Sequence, residues 1–363
     1  MPSRLPNALI VTAALLLTAC GGGDSSAPAP TEPTLQERTS AVEQTVSNNA
    51  RCTILSPFYW EIGDKDGALA SGAGGDGSAP APSATTLMAI ASASKWVFAS
   101  WVLQKLYDDS QTITADQIRK LNFTSPYNQM NHSPCMSAGH TLTQVDACLQ
   151  SPLTHGDDPD ADASHLDRFD YNSGHMEVLA HDLGLGGDYD QSGQPKLSDA
   201  INPVLGSDLN FFYSNPVLAG GITTTAANYA IFLRKLLNDD LEMHDALGSH
   251  PVCAWLNQPD CDALASPLSY PTSPTDPGLV NEKWHYSLGH WVEDDPEVGD
   301  GAFSSAGARG FYPWIDASKT WYGILARSEG TGSDNRLGTA SIECGRLMRK
   351  AWITGAEQTG INP

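Results

Sequence analysis

Ser92-Ala93-Ser94-Lys95 sets a hydroxyl and an amine three residues apart. A serine hydroxyl is a weak nucleophile at neutral pH and needs a neighbouring base to take its proton. Residues i and i+3 share one face of a helix, so Ser92 and Lys95 can meet if a helix starts here. From Lys95 to Tyr107 the chain is apolar almost all round, which predicts a helix buried on most sides. A lysine in such a helix is desolvated, and desolvation lowers the amine's pKa towards that of a useful base. The helix N-terminus also favours negative charge developing near Ser92. Ser94 points elsewhere. Ser-x-x-Lys alone is a common pattern whose lysine is usually on the surface; the apolar helix behind it distinguishes this copy.

Several elements must hold that pair. Leu35 to Val46 predicts a polar helix. Thr53 to Ile62 and Ala68 to Ala73 are strand-like runs around the turn signal Asp64-Lys65-Asp66-Gly67, and together they predict a hairpin. A Gly/Ser/Pro/Ala loop then leads through Leu87 to Ala91 into Ser92. The middle of the chain, about 108–278, is richer in loops and short helices. Its clearest helix starts at Thr225, with Tyr229, Phe232, Leu233, Leu236 and Leu237 on one apolar face. Strands return at Trp284 to Val292, Gly310 to Ile315 and Thr320 to Arg327. The last two flank the turn Asp316-Ala317-Ser318-Lys319, and Ser341 to Trp352 predicts a closing helix. This order predicts an α+β domain over residues 35–355. An antiparallel sheet assembled from both ends of the chain is flanked by N- and C-terminal helices, with a helical lobe inserted.

Five blocks carry a family resemblance. Ile90-Ala91-Ser92-Ala93-Ser94-Lys95 resembles the nucleophile motif of the serine β-lactamase and penicillin-binding protein superfamily. Phe169-Asp170-Tyr171-Asn172-Ser173-Gly174 resembles its second motif, Tyr-x-Asn in class C β-lactamases and often Tyr-x-Ser in related esterases and amide hydrolases. Ala219 to Thr225 is similar to a stretch common in that branch, and Tyr286 to Trp291 resembles the strand before the third motif. Ser305-Ala306-Gly307-Ala308-Arg309-Gly310-Phe311 stands where Lys-Thr-Gly-x-x-Gly is expected. The blocks keep the superfamily's order, and the resemblance spans roughly 35–352.

The resemblance implies a β-lactamase-like fold with Ser92 as acylated nucleophile, Lys95 as its base and Tyr171 as second base or proton relay. Ser173 takes the hydrogen-bonding place of the asparagine. The N–H groups of Ser92 and Ala308 form the oxyanion hole, with Ser305 and Gly307 beside the substrate. Two departures narrow the implied chemistry. Serine replaces the lysine of the third motif at Ser305, and serine replaces the asparagine of the second at Ser173. Both lost groups help hold a lactam substrate in relatives. Their loss favours an esterase or linear-amide hydrolase over a β-lactamase or D,D-peptidase. Arg309 is a nearby positive charge that a surface ion pair also explains. A catalytically silent envelope protein using the cleft for binding is the alternative from another class. No cofactor is implied.

The beginning of the chain predicts a compartment. A short basic end, the apolar run Ala8 to Leu17 and Leu17-Thr18-Ala19-Cys20 match a bacterial lipoprotein leader (residues 1–19) with Cys20 as the acylated residue. Residues 20–34 are rich in Gly, Ser, Pro and Ala, as expected of a flexible tether. The expected location is the bacterial cell envelope, lipid-anchored and facing the periplasm or exterior. Formal charge is −22, which repels nucleic acid and anionic lipid headgroups; the expected partner, a small or oligomeric ester or amide substrate, is what the resemblance implies. Apart from Cys20, six cysteines remain. Spacing favours Cys135–Cys148 and Cys253–Cys261 as local bridges, leaving Cys52–Cys344 to tie the first strand to the last helix.

Metal signals are weak. Asp188 to Gly193 with Asp199 at the twelfth position imitates a calcium loop without a clear flanking helix pair. His155 to Asp162 reads as a solvated acidic loop, and the ten histidines form no zinc motif. His175, four residues after Tyr171, is either a pocket residue or a packing one. No metal site is expected.

Overall fold

Asp64 closes the first hairpin: its Oδ1 accepts from the N–H groups of Asp66 (2.8 Å) and Gly67 (3.1 Å). That turn joins β1 (Phe58–Asp64) to β2 (Ala68–Gly74). The computed structural model describes residues 32–128, 162–186, 197–272, 277–330 and 335–360, with positions 135, 144, 145 and 149. The remaining strands are β3 (Met88–Ala89), β4 (Phe212–Tyr213), β5 (Ile222–Thr224), β6 (Val252–Cys253), β7 (His285–Ser287), β8 (His290–Glu293), β9 (Ala302–Ser304), β10 (Tyr312–Ile315) and β11 (Trp321–Ala326). The helices are α1 (Leu35–Asn48), α2 (Ala50–Thr53), α3 (Ser94–Asp108), α4 (Ala115–Leu121), α5 (Gly174–Asp182), α6 (Leu197–Leu205), α7 (Ala226–Leu237), α8 (Met243–Ala246) and α9 (Asn335–Thr354). Pro33–Pro363 forms one compact unit.

The main sheet is antiparallel with strand order β2-β1-β11-β10-β9-β8-β7-β6. The first hairpin therefore pairs with the last strand, as the α+β reading predicts. Helices cover both faces. Tyr312 and Trp314 lie two apart on β10 and face α9, where a side chain at Gly345 would meet both rings. Tyr322, on the opposite face, receives a hydrogen bond from Arg234 of α7 (3.1 Å) and donates one to the buried Glu61 (2.6 Å). The N-terminal helix α1 starts with a Thr34/Glu37 capping box and packs against α9. Thr225 caps α7 through the Asn228 N–H (3.1 Å), and the predicted apolar face is buried.

The structure corrects four expectations. The first strand begins at Phe58, because Asn49 caps the short helix α2 through the Arg51 N–H (2.9 Å). Cys52 sits in that helix, so its link to Cys344 joins two helices, α2 and α9, at a Cα separation of 4.9 Å. The run from Trp284 to Val292 is two strands, because Leu288 (φ 38°) and Gly289 (φ 84°) turn the chain. The middle lobe is not purely helical: a second sheet, β3-β5-β4, stands beside α3.

Cys253 and Cys261 are bonded with Cα atoms 5.8 Å apart. Cys135 is also disulfide-bonded, and Cys148, its expected partner, lies outside the described residues. So do residues 1–31, with Cys20, and most of the two acidic loops; Asp199 is in the first turn of α6. No described helix is long and apolar enough to cross a membrane.

Candidate active site

Ser92 occupies a single 3-10 turn, Ala91–Ala93, immediately before α3. Ala91 has a positive φ of 46°, uncommon for a residue with a side chain and associated with functional sites. Four contacts fix the turn. The Ile90 N–H donates to the Ile222 carbonyl (3.0 Å), and the Ser94 hydroxyl accepts from the Ile222 N–H (3.2 Å). Tyr229 donates to the Ala93 carbonyl (2.9 Å), and Ser305 donates to the Ser92 carbonyl (3.2 Å). The small sheet, α7 and the strand end after β9 thus all hold the backbone around Ser92.

Lys95 lies one turn on and is 4 % exposed. Its Nζ donates to Ser92 Oγ (3.0 Å) and to the Ala219 carbonyl (2.8 Å). Burial draws the amine down to about 7, and the charge of Glu177 opposes that shift. Aromatic rings close the remaining sides, with the Tyr171 and Phe123 centroids 4.9 Å and 5.8 Å from Nζ.

Tyr171 follows the isolated bridge Asp170–Ala265, and its N–H donates to the Ala265 carbonyl (3.0 Å). Its ring stacks on Trp291 (centroids 5.5 Å apart) and meets Phe123 and Tyr286 edge-on. Burial pushes the phenol above its usual range, while hydrogen bonds with Ser92 and Trp291 pull it partly back. A phenolate here at neutral pH is disfavoured. The neutral hydroxyl, within reach of Ser92, is suited to passing a proton on.

The strand end after β9 forms the other wall. Gly307 donates to the Phe311 carbonyl (2.8 Å) and accepts from the Gly310 N–H (2.8 Å). A side chain at Gly307 would collide with the Ile90 carbonyl, so glycine is what lets this segment approach the nucleophile's turn. Ala308 and Ser92 both line the cleft, with Tyr171, Pro267, Leu268, Trp291, Ala306, Gly307, Gly338, Thr339 and Ile342. The walls are apolar, and no cationic side chain is among these residues. Ser305 is buried behind the cleft, its hydroxyl spent on the Ser92 carbonyl. Ser173 is buried at the N-cap of α5, outside the cleft lining. Arg309 is half-buried, and its carbonyl accepts from the Glu329 N–H (3.0 Å).

His175 is a packing residue. It is fully buried, its Nε2 faces the Asp170 carbonyl (3.0 Å) and its Nδ1 the Ser125 hydroxyl (2.7 Å). Donation to the carbonyl assigns the proton to Nε2, and burial keeps the ring neutral by drawing its pKa down to about 3. Among the described residues, Asp239, His244 and Asp245 bring metal-capable atoms within 4.8 Å of one another, at the surface and apart from the cleft.

Three contributions were not read from the sequence: the Ala219 carbonyl, the Trp291 indole and Glu177. Trp291 stands in a block quoted for its resemblance, without a role of its own. Glu177 carries a legible signal, a lone acid in the apolar stretch Met176 to Ala180.

No family model matches the chain, and no curated protein matches its sequence. Solved structures do match its shape. A D-amino acid amidase from Ochrobactrum anthropi SV3 superposes with a TM-score of 0.54 at 14% identity, covering 87% of this chain and 99% of the amidase. Simvastatin synthase (LovD) from Aspergillus terreus gives 0.51 at 13% identity over 86% of this chain and 98% of its own. A Bacteroides dorei DSM 17855 protein proposed to be a β-lactamase gives 0.50 at 16% identity over 85% and 96%. The chain has the serine β-lactamase fold. At these identities the fold is what is shared, and the chemistry rests on the side chains that line the cleft.

Proposed function

We propose that this chain is a serine hydrolase that cleaves an ester or linear amide through a Ser92 acyl-enzyme. The contact that carries the reading is Lys95 Nζ at 3.0 Å from Ser92 Oγ, with the amine desolvated. Neutral Lys95 takes the Ser92 proton as Oγ attacks the substrate carbonyl. The N–H groups of Ser92 and Ala308 receive the charge that develops on the carbonyl oxygen. Lys95 returns the proton through the neutral Tyr171 hydroxyl to the leaving alcohol or amine. Water then attacks the acyl-serine, its proton moves to Lys95 and back to Ser92, and the acid departs. A fold relative named as an amidase supports acyl chemistry on this scaffold.

Among the described residues the cleft's lining is mostly apolar and holds no cation, which favours an uncharged acyl group over the carboxylate-bearing lactam of penicillin. Short p-nitrophenyl esters and neutral anilides, assayed on wild type and Ser92→Ala, test this. Turnover by wild type alone is the expected result. Equal turnover by Ser92→Ala would exclude the acyl-enzyme.

The reading extends to location. Residues 1–19 act as a lipoprotein leader and Cys20 carries the lipid, placing the domain in an oxidising envelope where its disulfides form. Expression in bacteria with a labelled fatty acid should label the wild type and leave Cys20→Ser unlabelled. Label on both would remove the anchor.

A further inference from the structure

Glu177 is fully buried on α5, one turn beyond Ser173. Its Oε1 accepts from the Ala219 N–H (3.2 Å). Its Oε2 is buried, and the Leu218 N–H is a second backbone donor to the carboxyl. A carboxyl buried away from water is costly even with two backbone donors, so its presence calls for an explanation. Ala219 supplies one, because the same residue's carbonyl receives the Lys95 amine (2.8 Å). Ala219 belongs to a tight turn in which the Gly220 and Gly221 N–H groups both donate to the Val217 carbonyl (3.2 and 2.7 Å). The carboxyl thus fixes one side of a residue whose other side fixes the base.

We propose that Glu177 is the positioning residue for Lys95, acting on it through Ala219 and through its own charge. The inference rests on the acyl-enzyme reading above. The titratable groups facing Lys95 are Tyr171, Glu177 and, further out, His175; the 217–221 turn offers only backbone, since its side chains are Val, Leu, Ala and two glycines. His175 is neutral across the working range, and Tyr171 is held neutral by burial. Burial pushes the Glu177 carboxyl up to about 8, so among the described residues it is the group that titrates over the same range as the amine, and the two share their protons. In the fraction of molecules that carry the carboxylate the protonated lysine is favoured, and protonated lysine cannot accept the Ser92 proton. Replacing the carboxylate by an amide removes that influence and lets Lys95 work at lower pH.

The test is the pH dependence of fluorophosphonate labelling at Ser92 in wild type, Glu177→Gln and Glu177→Ala. The glutamine keeps an acceptor for the Ala219 N–H, so its plateau rate should fall less than about tenfold, with the acid limb moved down by less than about one pH unit, since the carboxyl is itself largely protonated below about 8. The alanine loses acceptor and charge, and its plateau should fall by about ten- to a hundredfold. An unmoved acid limb in Glu177→Gln overturns the charge role, and an alanine plateau equal to wild type overturns the positioning role. Wild type that does not label at all fails the acyl-enzyme reading instead, so the two failures are distinct. Should Glu177→Gln not fold, infrared titration of the buried carboxyl in wild type and Lys95→Met carries the same test. Coupling shifts that titration between the two proteins, and identical titrations overturn the proposal.

Discussion

A lysine can serve as a base only while it is neutral, and its surroundings decide the pH at which that happens. An exposed lysine keeps its proton well past neutrality; Lys95, drawn down by burial to about 7, does not. The group must be deprotonated to act, so the rate rises with pH and levels off above about 7. Labelling rates at constant ionic strength should show this single acid limb, whereas a limb near the pKa of ordinary lysine would contradict the desolvated base. Lys95→Arg keeps the charge and removes the base, because a guanidinium stays protonated. Labelling should drop by at least about 100-fold, and the thermal transition should also fall, because a larger side chain that stays charged is buried there. Labelling near the wild-type rate would move the base elsewhere. At this scale the pair was legible, since Ser92 and Lys95 are linked by helical spacing and an apolar run. The Ala219 carbonyl was not, because a backbone acceptor leaves no mark on residue types. Tyr171 stands beside Ser92, but its burial, which sets its protonation, comes from Phe123, Tyr286 and Trp291, distant in sequence.

Elements with a strong local pattern formed as read: α3 from its apolar run, α7 from Thr225 and a one-faced stripe, β10 and β11 around the Asp316 turn. In that turn Asp316 accepts from the N–H groups of Ser318 (2.9 Å), Thr320 (2.7 Å) and Trp321 (2.8 Å). Strands of two or three residues, β6 and β9, were missed, since so few positions show no periodicity. The β7–β8 hairpin was read as one strand because leucine is not a turn former. Leu288 is held at its positive φ by tertiary contacts: its N–H donates to Asn122 Oδ1 (2.6 Å), and the Gly289 N–H donates to the Leu121 carbonyl (3.0 Å). This turn presses on α3, where a side chain at Gly289 would come within 2.6 Å of the Ala99 Cβ and 2.9 Å of the Lys95 carbonyl. Gly289→Val should therefore cost about 1–3 kcal/mol of stability and slow labelling as well, by shifting α3. Urea unfolding and labelling rates measured together check it. Wild-type values in both would show that the turn does not bear on the helix.

At the scale of the molecule, the fold joins its ends. β1 pairs with β11, α1 packs on α9, and Cys52 is bonded to Cys344 across 292 residues. A link closing so long a loop removes much of the unfolded chain's freedom, and loss of a native disulfide typically costs about 2–5 kcal/mol. Cys344→Ser should lower the urea midpoint correspondingly, and an unchanged midpoint would mean that the helices hold the closure without it. The long connection between the two ends carries Tyr171, Glu177 and the 217–221 turn, so the site is complete only when the ends have met. The departures at Ser173 and Ser305 act at this scale too. Both side chains are buried in the scaffold, leaving an apolar cleft around Ser92 and Tyr171. Whether Ser92 takes up an acyl-type label, and from which reagent, is therefore the central test. Intact-mass measurement after treatment with a fluorophosphonate, and separately with a penicillin, should show one adduct on wild type with the fluorophosphonate and none on Ser92→Ala. An adduct from the penicillin on wild type would restore lactam recognition. An adduct that persists on Ser92→Ala would contradict Ser92 as the nucleophile.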